Sequence, residues 1–283
     1  MNITSLPEEL NINSSSPIQL FDYRTFNSCL RSKINLTKNT FSFLIEGSKE
    51  VITDNQPIRI ENNKFLIIKS GNCLMTETIS TVNKTYKSIL LFFTDEILFD
   101  FLERHSFDSP NTPKNNSFLV CEYDDYIQHF VQSLENIHKL NKPLQNSLLK
   151  IKFEEIMVYL AQKEGKGFLS SILGNHDNKA IKLINVVENN KLNKLSLQEL
   201  SFLCNMSVST FKREFKKHYQ LPPIKWFQEK RLEHSAFLLT TQKKRPIELY
   251  DEIGYETLSN FVQAFKKKYG TTPKQFQLSK MTF

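Results

Sequence analysis

Two consecutive stretches of this chain, LCNMSVSTFKREFKKHYQLPPIKWFQEKRLEHSAFLL at residues 203–239 and RPIELYDEIGYETLSNFVQAFKKKYGTTPKQF at residues 245–276, are two versions of one pattern. Phe211, Phe215, Lys216, Lys217, Tyr219 and Pro223 return 50 positions later as Phe261, Phe265, Lys266, Lys267, Tyr269 and Pro273. Ser209 is matched by Ser259, Leu203 by Ile253 and Trp226 by Phe276. Self-similarity at a fixed offset marks one structural unit used twice.

Each copy has a physical reading. Ser196 and Glu199 have the spacing of a capping box, which predicts a helix running through Leu203. Cys204-Asn205-Met206 is a short turn, and Ser207 suits the N-cap of the next helix. On that helix Phe211, Phe215 and Tyr219 fall four apart, as a buried stripe, while Ser209, Arg213, Lys216 and Lys217 fall on the opposite face. Two short helices joined by a tight turn, the second with a basic outer face, describe a helix-turn-helix. The second copy predicts a helix over Ile247–Ile253, a turn at Gly254, and a helix presenting Ser259, Asn260, Gln263, Lys266 and Lys267 outward from Phe261 and Phe265.

Charge supports a polyanion as partner. The chain carries a net charge of +7, but residues 1–178 hold 18 Lys/Arg against 21 Asp/Glu, and residues 179–283 hold 19 against 9. The last third is therefore a basic domain of net +10 behind a near-neutral one, an arrangement that points to nucleic acid. Lysine runs on a helix are most often merely solvated, and Phe at i, i+4 is most often core. Two copies within so basic a segment favour duplex DNA.

Other classes fit poorly. Apolar runs such as Ile89–Phe93 are far short of the roughly 20 residues that a membrane span needs. The opening MNITSLPEELNINSSS has neither the basic flank nor the apolar core of a secretory signal. Cys29, Cys73, Cys121 and Cys204 are scattered singly, as expected of reduced thiols in a cytoplasmic protein. Gly165-Lys166-Gly167 lacks the remainder of a phosphate loop, and no nucleophile elbow, zinc-protease motif or dinucleotide fingerprint occurs. Only His105 precedes residue 110, and His129 and His138 do not share a helical face. No metal site, no cofactor and no catalytic set is expected, and the protein is not expected to be an enzyme.

The first half has a different texture. Residues 17–35 show no clear period. From Thr40 to Phe93 short apolar runs, Phe41–Ile45, Phe65–Ile68 and Ile89–Phe93 among them, are separated by turns at Glu46-Gly47-Ser48 and Ser70-Gly71-Asn72, which suggests a small sandwich or barrel over about 17–110. After the loop Ser109–Pro113 the period becomes helical, with Ile127, Phe130, Val131, Leu134 and Ile137 on one face. A second helix follows over about Leu144–Lys163. These helices, within about 124–163, are candidates for a homodimer contact through 126–163, since the second has more apolar surface than one side needs. Lys163–Asp177 is polar and Gly-containing, so residues 1–168 form a first domain, 169–178 a linker and 179–283 the basic domain, with helix-turn-helix units at about 196–218 and 246–268.

The basic segment resembles the AraC/XylS family of bacterial transcription regulators over about residues 180–278. Ile253-Gly254-Tyr255, Phe261, Phe265-Lys266-Lys267, Gly270 and Pro273 stand where the family's signature places such residues. The resemblance implies a seven-helix domain in which two helix-turn-helix units are joined by a long helix at about Ile224–Thr240. It implies recognition helices near 208–218 and 258–268, set in successive major grooves about 34 Å apart. It also implies a sensing and dimerising first half, commonly a cupin-like β-barrel followed by helices, most like the virulence-regulator branch, whose barrels take a small effector or a partner protein. Two positions depart from the family: Tyr250 replaces a small residue, and Gln220 replaces a glycine.

The expected fold is thus α+β, a cupin-like barrel or sandwich with trailing helices followed by an all-α domain with two helix-turn-helix units. The expected function is a sequence-specific DNA-binding regulator of the bacterial cytoplasm and nucleoid, an activator acting with RNA polymerase at a promoter. Base contacts are assigned to Ser209, Thr210, Lys212, Arg213, Ser259, Asn260 and Gln263. Phosphate contacts are assigned to Ser207, Lys216, Lys217, Thr257, Lys266 and Lys267. Arg favours guanine and Gln adenine, so the two copies should prefer different bases. An effector would meet an apolar lumen of Phe41, Phe43, Phe65, Phe92 and Phe93, with Arg31 or Lys33 at an anionic head group, unless those phenylalanines simply fill the barrel. The rival reading is a small-molecule-binding or enzymatic barrel with an accessory basic domain.

Overall fold

The computed structural model describes residues 3–10, 16–105, 116–173 and 178–281. The chain divides into two compact units, Met1–Lys182 with Phe202–Asn205, and Leu183–Ser201 with Met206–Phe283. The loop read at Ser109–Pro113 lies outside the described residues.

The first unit is built on ten strands: β1 Ile3–Leu6, β2 Ile18–Thr25, β3 Cys29–Leu36, β4 Asn39–Glu46, β5 Ser48–Ile52, β6 Ile58–Glu61, β7 Lys64–Ile68, β8 Gly71–Thr78, β9 Tyr86–Phe93 and β10 Phe118–Glu122. They form two five-stranded sheets, ordered β1-β3-β8-β5-β6 and β10-β7-β4-β9-β2. Every neighbouring pair is antiparallel except β1 with β3. Four helices complete the unit: α1 Asp95–Arg104, α2 Asp125–His138, α3 Lys142–Glu164 and α4 Lys166–Leu173.

The apolar run Ile89–Phe93 has a structural cause, because the second sheet is covered on both faces. Successive strand side chains point to opposite faces. Phe41, Phe43, Phe65, Ile89, Leu91 and Phe93 accordingly pack with Phe130, Phe153 and other side chains of the helices. Leu44, Leu66, Ile68, Leu90 and Phe92 point the other way, onto Ile34, Val51, Ile60 and Met75 of the first sheet. A strand buried on both sides has no polar alternation to display. The turn between β4 and β5 needs its glycine: Gly47 has φ +92°, and a Cβ there would lie 2.5 Å from the Thr78 carbonyl oxygen.

Three expectations for this half are corrected. The barrel segment before residue 110 contains helix α1, whose N-cap Thr94 accepts from the Ile97 amide. A further strand, β10, returns along the edge of β7. Residues 169–173 of the expected linker belong to α4, where Phe168, Leu169 and Ile172 are buried with Phe153 and Met157. Gly165, at φ +75°, ends α3 and lets the chain turn back, and the apolar residues after it carry a helical spacing that the polar flanks disguise.

From residue 179 on, the described residues form the expected seven helices: α5 Lys179–Asn189, α6 Leu197–Leu203, α7 Val208–Tyr219, α8 Pro223–Thr241, α9 Pro246–Leu249, α10 Leu258–Tyr269 and α11 Pro273–Met281. The helix read over Ile247–Ile253 is shorter, since α9 stops at Leu249. The Tyr255 amide donates to the Tyr250 carbonyl and the Gly254 amide to Asp251, closing the turn as a Schellman motif with Gly254 left-handed. Tyr250 packs beside Leu249, Ile253, Phe261 and Phe265. The long helix matches its reading to within a residue at each end.

Candidate nucleic-acid interface

The local physics that places α7 and α10 is the same in both copies. Ser207 and Thr257 are N-caps whose hydroxyl oxygens accept from the Thr210 and Asn260 amides, each at 3.2 Å. The preceding helix α6 opens with the capping box of Ser196 and Glu199: the Ser196 amide donates to the Glu199 carboxylate at 2.7 Å, and the Glu199 amide to Ser196 Oγ at 3.2 Å. The Phe211 and Phe215 rings meet tilted, with 5.7 Å between ring centres, and Phe261 and Phe265 meet edge-on at the same separation. Tyr219 and Trp226 close the first core, Tyr269 and Phe276 the second. All four phenylalanines are fully buried, so each helix is locked about its axis and its outer face is fixed.

That outer face carries the predicted contact residues. Ser209, Lys212, Arg213, Lys216 and Lys217 are exposed on α7, with Thr210 half-buried; Ser259, Asn260, Gln263, Lys266 and Lys267 are exposed on α10. Twelve of the thirteen side chains assigned to DNA, the two N-caps included, are thus solvent-facing. Their electrostatics differ between the copies. On α7, Glu214 accepts from Arg213 Nε at 3.2 Å and from Lys217 Nζ at 3.0 Å. Those two cations, Lys217 foremost, hold its carboxyl below the usual range. On α10 the equivalent position is Ala264, and Lys266 and Lys267 make no ion pair among the described residues.

The sandwich of the first unit encloses a cavity of about 210 Å³. Its apolar wall includes Ile34, Leu90 and Phe92, and its polar end is made by Tyr23, Ser42, Lys49 and Glu77. Lys49 is only 2% exposed. Its Nζ donates to Ser42 Oγ at 3.0 Å and lies 3.4 Å from Glu77, its direct cross-strand neighbour. Burial opposes the Lys49 charge, but Tyr86 and Glu77 outweigh it and hold the ammonium above the usual lysine range. Burial, and then Glu77, push the Tyr23 hydroxyl up in turn.

Of the residues read as an effector site, only Phe92 lines this cavity. Phe41, Phe43, Phe65 and Phe93 occupy the opposite face of their sheet, in the helix-side core, and Arg31 and Lys33 are not in the lining. Sequence reasoning missed Lys49 and Glu77. Their only signal was a charged residue on each of two strands, 28 positions apart, whose pairing depends on register.

The two units thus define a class: a β-sandwich with a lumen, followed in the chain by a double helix-turn-helix. Residues 39–172 match the ExsA N-terminal regulatory domain, and residues 200–279 match a helix-turn-helix domain. Residues 200–279 thus form an AraC-type helix-turn-helix domain. The chain is 28% identical over 155 residues to the virulence regulon transcriptional activator VirF of Yersinia enterocolitica, covering 53% of this chain and 56% of that one. It is 28% identical over 174 residues to the thermoregulatory protein LcrF of Yersinia pestis, covering 60% and 62%. To the transcriptional regulator ExsA of Pseudomonas aeruginosa it is 26% identical over 131 residues, covering 46% and 47%. The matches thus span about half to three-fifths of the length of these curated relatives. Among the described residues no helix is long and apolar enough to cross a membrane.

Proposed function

We propose that this chain is a sequence-specific DNA-binding transcription regulator that lays α7 and α10 in successive major grooves of one duplex. The observation that carries the reading is the pair of capped helices with buried aromatic stripes and solvent-facing polar, basic faces. Ser209, Thr210, Lys212 and Arg213 on α7, and Ser259, Asn260 and Gln263 on α10, read base edges. Ser207, Lys216, Lys217, Thr257, Lys266 and Lys267 hold phosphates, which fix register without reading sequence. The relatives' names favour activation, so the protein works with RNA polymerase at a promoter, in the bacterial cytoplasm, as a regulator and not as an enzyme.

Control resides in the first unit, which we read as cupin-like. Lys49 is already neutralised by Glu77, so the lumen offers hydrogen-bonding groups without a net charge to satisfy. Its occupant is a small, largely apolar and uncharged effector. Dimerisation is assigned to α2 and α3, where Leu144 and Ile151, seven apart on one helical face, are 46% and 61% exposed.

Selection of bound duplexes from a random library tests the central reading. Two preferred blocks with centres about one helical turn apart are expected; a single block, or no enrichment, would sink it. Melting with and without fractionated cell extract tests the lumen, because a ligand that binds only the folded state must raise the melting temperature. Light scattering of the full chain, compared with Ile151→Glu, tests the dimer: the variant should be monomeric where the native chain is not.

A further inference from the structure

The lumen of the sandwich holds a buried ammonium, and the chain itself supplies the counter-ion. Lys49 on β5 is 2% exposed. Alone it would demand an anion from any occupant, because an uncompensated buried charge is unfavourable. Glu77 on β8, also buried, meets that demand first. It stands directly across from Lys49 on one side and from Cys29 of β3 on the other. Lys49 Nζ lies 3.4 Å from one carboxylate oxygen, and Cys29 Sγ, at 3.8 Å, donates to the other. Tyr23, on the facing sheet, brings its hydroxyl to the same carboxylate.

Donors from three strands thus converge on one carboxylate, the arrangement of a carboxylate receptor whose ligand is built in. Lys49 is engaged from both sheets, by Glu77 and by Ser42 Oγ. Glu77 is not saturated. The two oxygens of a carboxylate offer about four acceptor positions, so beside Lys49, Cys29 and Tyr23 it can accept one hydrogen bond more. Beyond this polar end the wall is apolar, with Leu6, Leu36, Ile68, Leu90 and Phe92. The cavity, about 210 Å³, exceeds the roughly 150 Å³ that admits benzene to an engineered apolar site, which suits an occupant of about eight to ten heavy atoms.

We propose that Glu77 is the specificity-determining residue of the lumen: its carboxylate fills the place beside Lys49 that a ligand's carboxylate would take, and its remaining acceptor position receives the hydroxyl of a neutral aliphatic alcohol. The inference rests on the reading of the lumen as the effector site, and deepens it by assigning selectivity against acids to one side chain. An incoming carboxylate would face Glu77 at close range in a low-dielectric site, where like charges repel strongly. An alcohol brings no charge. It donates to Glu77 and lays its chain along the apolar wall.

The test is melting of the full chain at neutral pH with 1-octanol or octanoate, for the native protein and two variants. The native chain should be stabilised by octanol and not by octanoate. Glu77→Gln strips Lys49 of its counter-ion, so that variant should melt well below the native chain. Octanoate should recover most of the loss by supplying the missing carboxylate, and octanol should not. The rescue is measurable even where the variant is unfolded without ligand. Lys49→Met/Glu77→Gln carries neither charge. It should be indifferent to octanoate and bind octanol at least about tenfold more weakly than the native chain, as loss of a hydrogen bond to a charged group implies. Equal stabilisation of the native chain by both compounds, rescue of Glu77→Gln by octanol alone, or unchanged octanol affinity in the double variant would overturn the proposal. Silence of all three proteins toward both compounds would instead remove the reading of the lumen as an effector site, and that outcome is distinct from binding without selectivity.

Discussion

The two helix-turn-helix copies share an interior and differ at their rims. Inside, Phe211, Phe215, Tyr219 and Trp226 correspond to Phe261, Phe265, Tyr269 and Phe276, with closely similar ring spacings. Even the turns agree. The Met206 amide donates to the Ser201 carbonyl and the Asn205 amide to Phe202, as Tyr255 and Gly254 do to Tyr250 and Asp251. The residue that must turn left-handed is Asn205 in one copy and Gly254 in the other, at φ +54° and +85°. At the helix ends the pair is Gln220 at +57° and Gly270 at +77°. On the outer face, Arg213, Glu214 and His218 stand where the second copy has Gln263, Ala264 and Lys268. Packing tolerates little change, whereas a solvent-facing helix surface is free to differ. One repeated interior thus carries two outer faces of different chemistry.

The largest effect should come from testing whether the interiors are equivalent. Phe215→Ala and Phe265→Ala should each cost about 3–5 kcal/mol, as truncation of a buried ring does, measured by denaturant unfolding. A cost below about 1 kcal/mol for one of them would show that the copies are not packed alike. Next come the readers: Arg213→Ala and Gln263→Ala should each cost about 1–3 kcal/mol on a selected duplex and relax one base position, in different blocks. Uniform loss on every sequence would reduce either residue to a phosphate contact.

The turns should respond more weakly. Gly254→Ala should destabilise by about 1–2 kcal/mol, because a Cβ in the left-handed region clashes with the backbone; its other close neighbour is the flexible Lys194 side chain, at 3.3 Å. Asn205→Gly should change stability far less, since Asn tolerates that region. Gln220→Gly should stabilise by about 0.5–1 kcal/mol, seen as a rise in melting temperature. The smallest effect belongs to Glu214→Ala, which copies the second unit. Released from that carboxylate, Arg213 and Lys217 should bind any duplex more tightly, with a steeper salt slope; weaker binding would mean that Glu214 orients Arg213 for its base.

Legibility followed the range of the interactions. The recognition helices, read near 208–218 and 258–268, end one residue later, because caps, stripe and turn lie within twenty residues of each other. Helix α9 is shorter than the helical period suggests, since its end is set by hydrogen bonds around Tyr250 and Gly254 that the period does not show. In the first half, β10 and α4 carried weak local signals beside polar flanks. The phenylalanines were visible as core, but their face was not: in a strand covered on both sides, Phe41 and Phe92 look alike, although one packs under helices and the other lines the lumen.

By itself the sequence determined the repeat, the basic reader and its outward residues, because helix periodicity and capping are local and were written twice. Only the tertiary structure decided which strand faces enclose the lumen, and that Lys49 meets Glu77 within it. Those juxtapositions depend on strand register, which is fixed by packing between residues far apart in the chain.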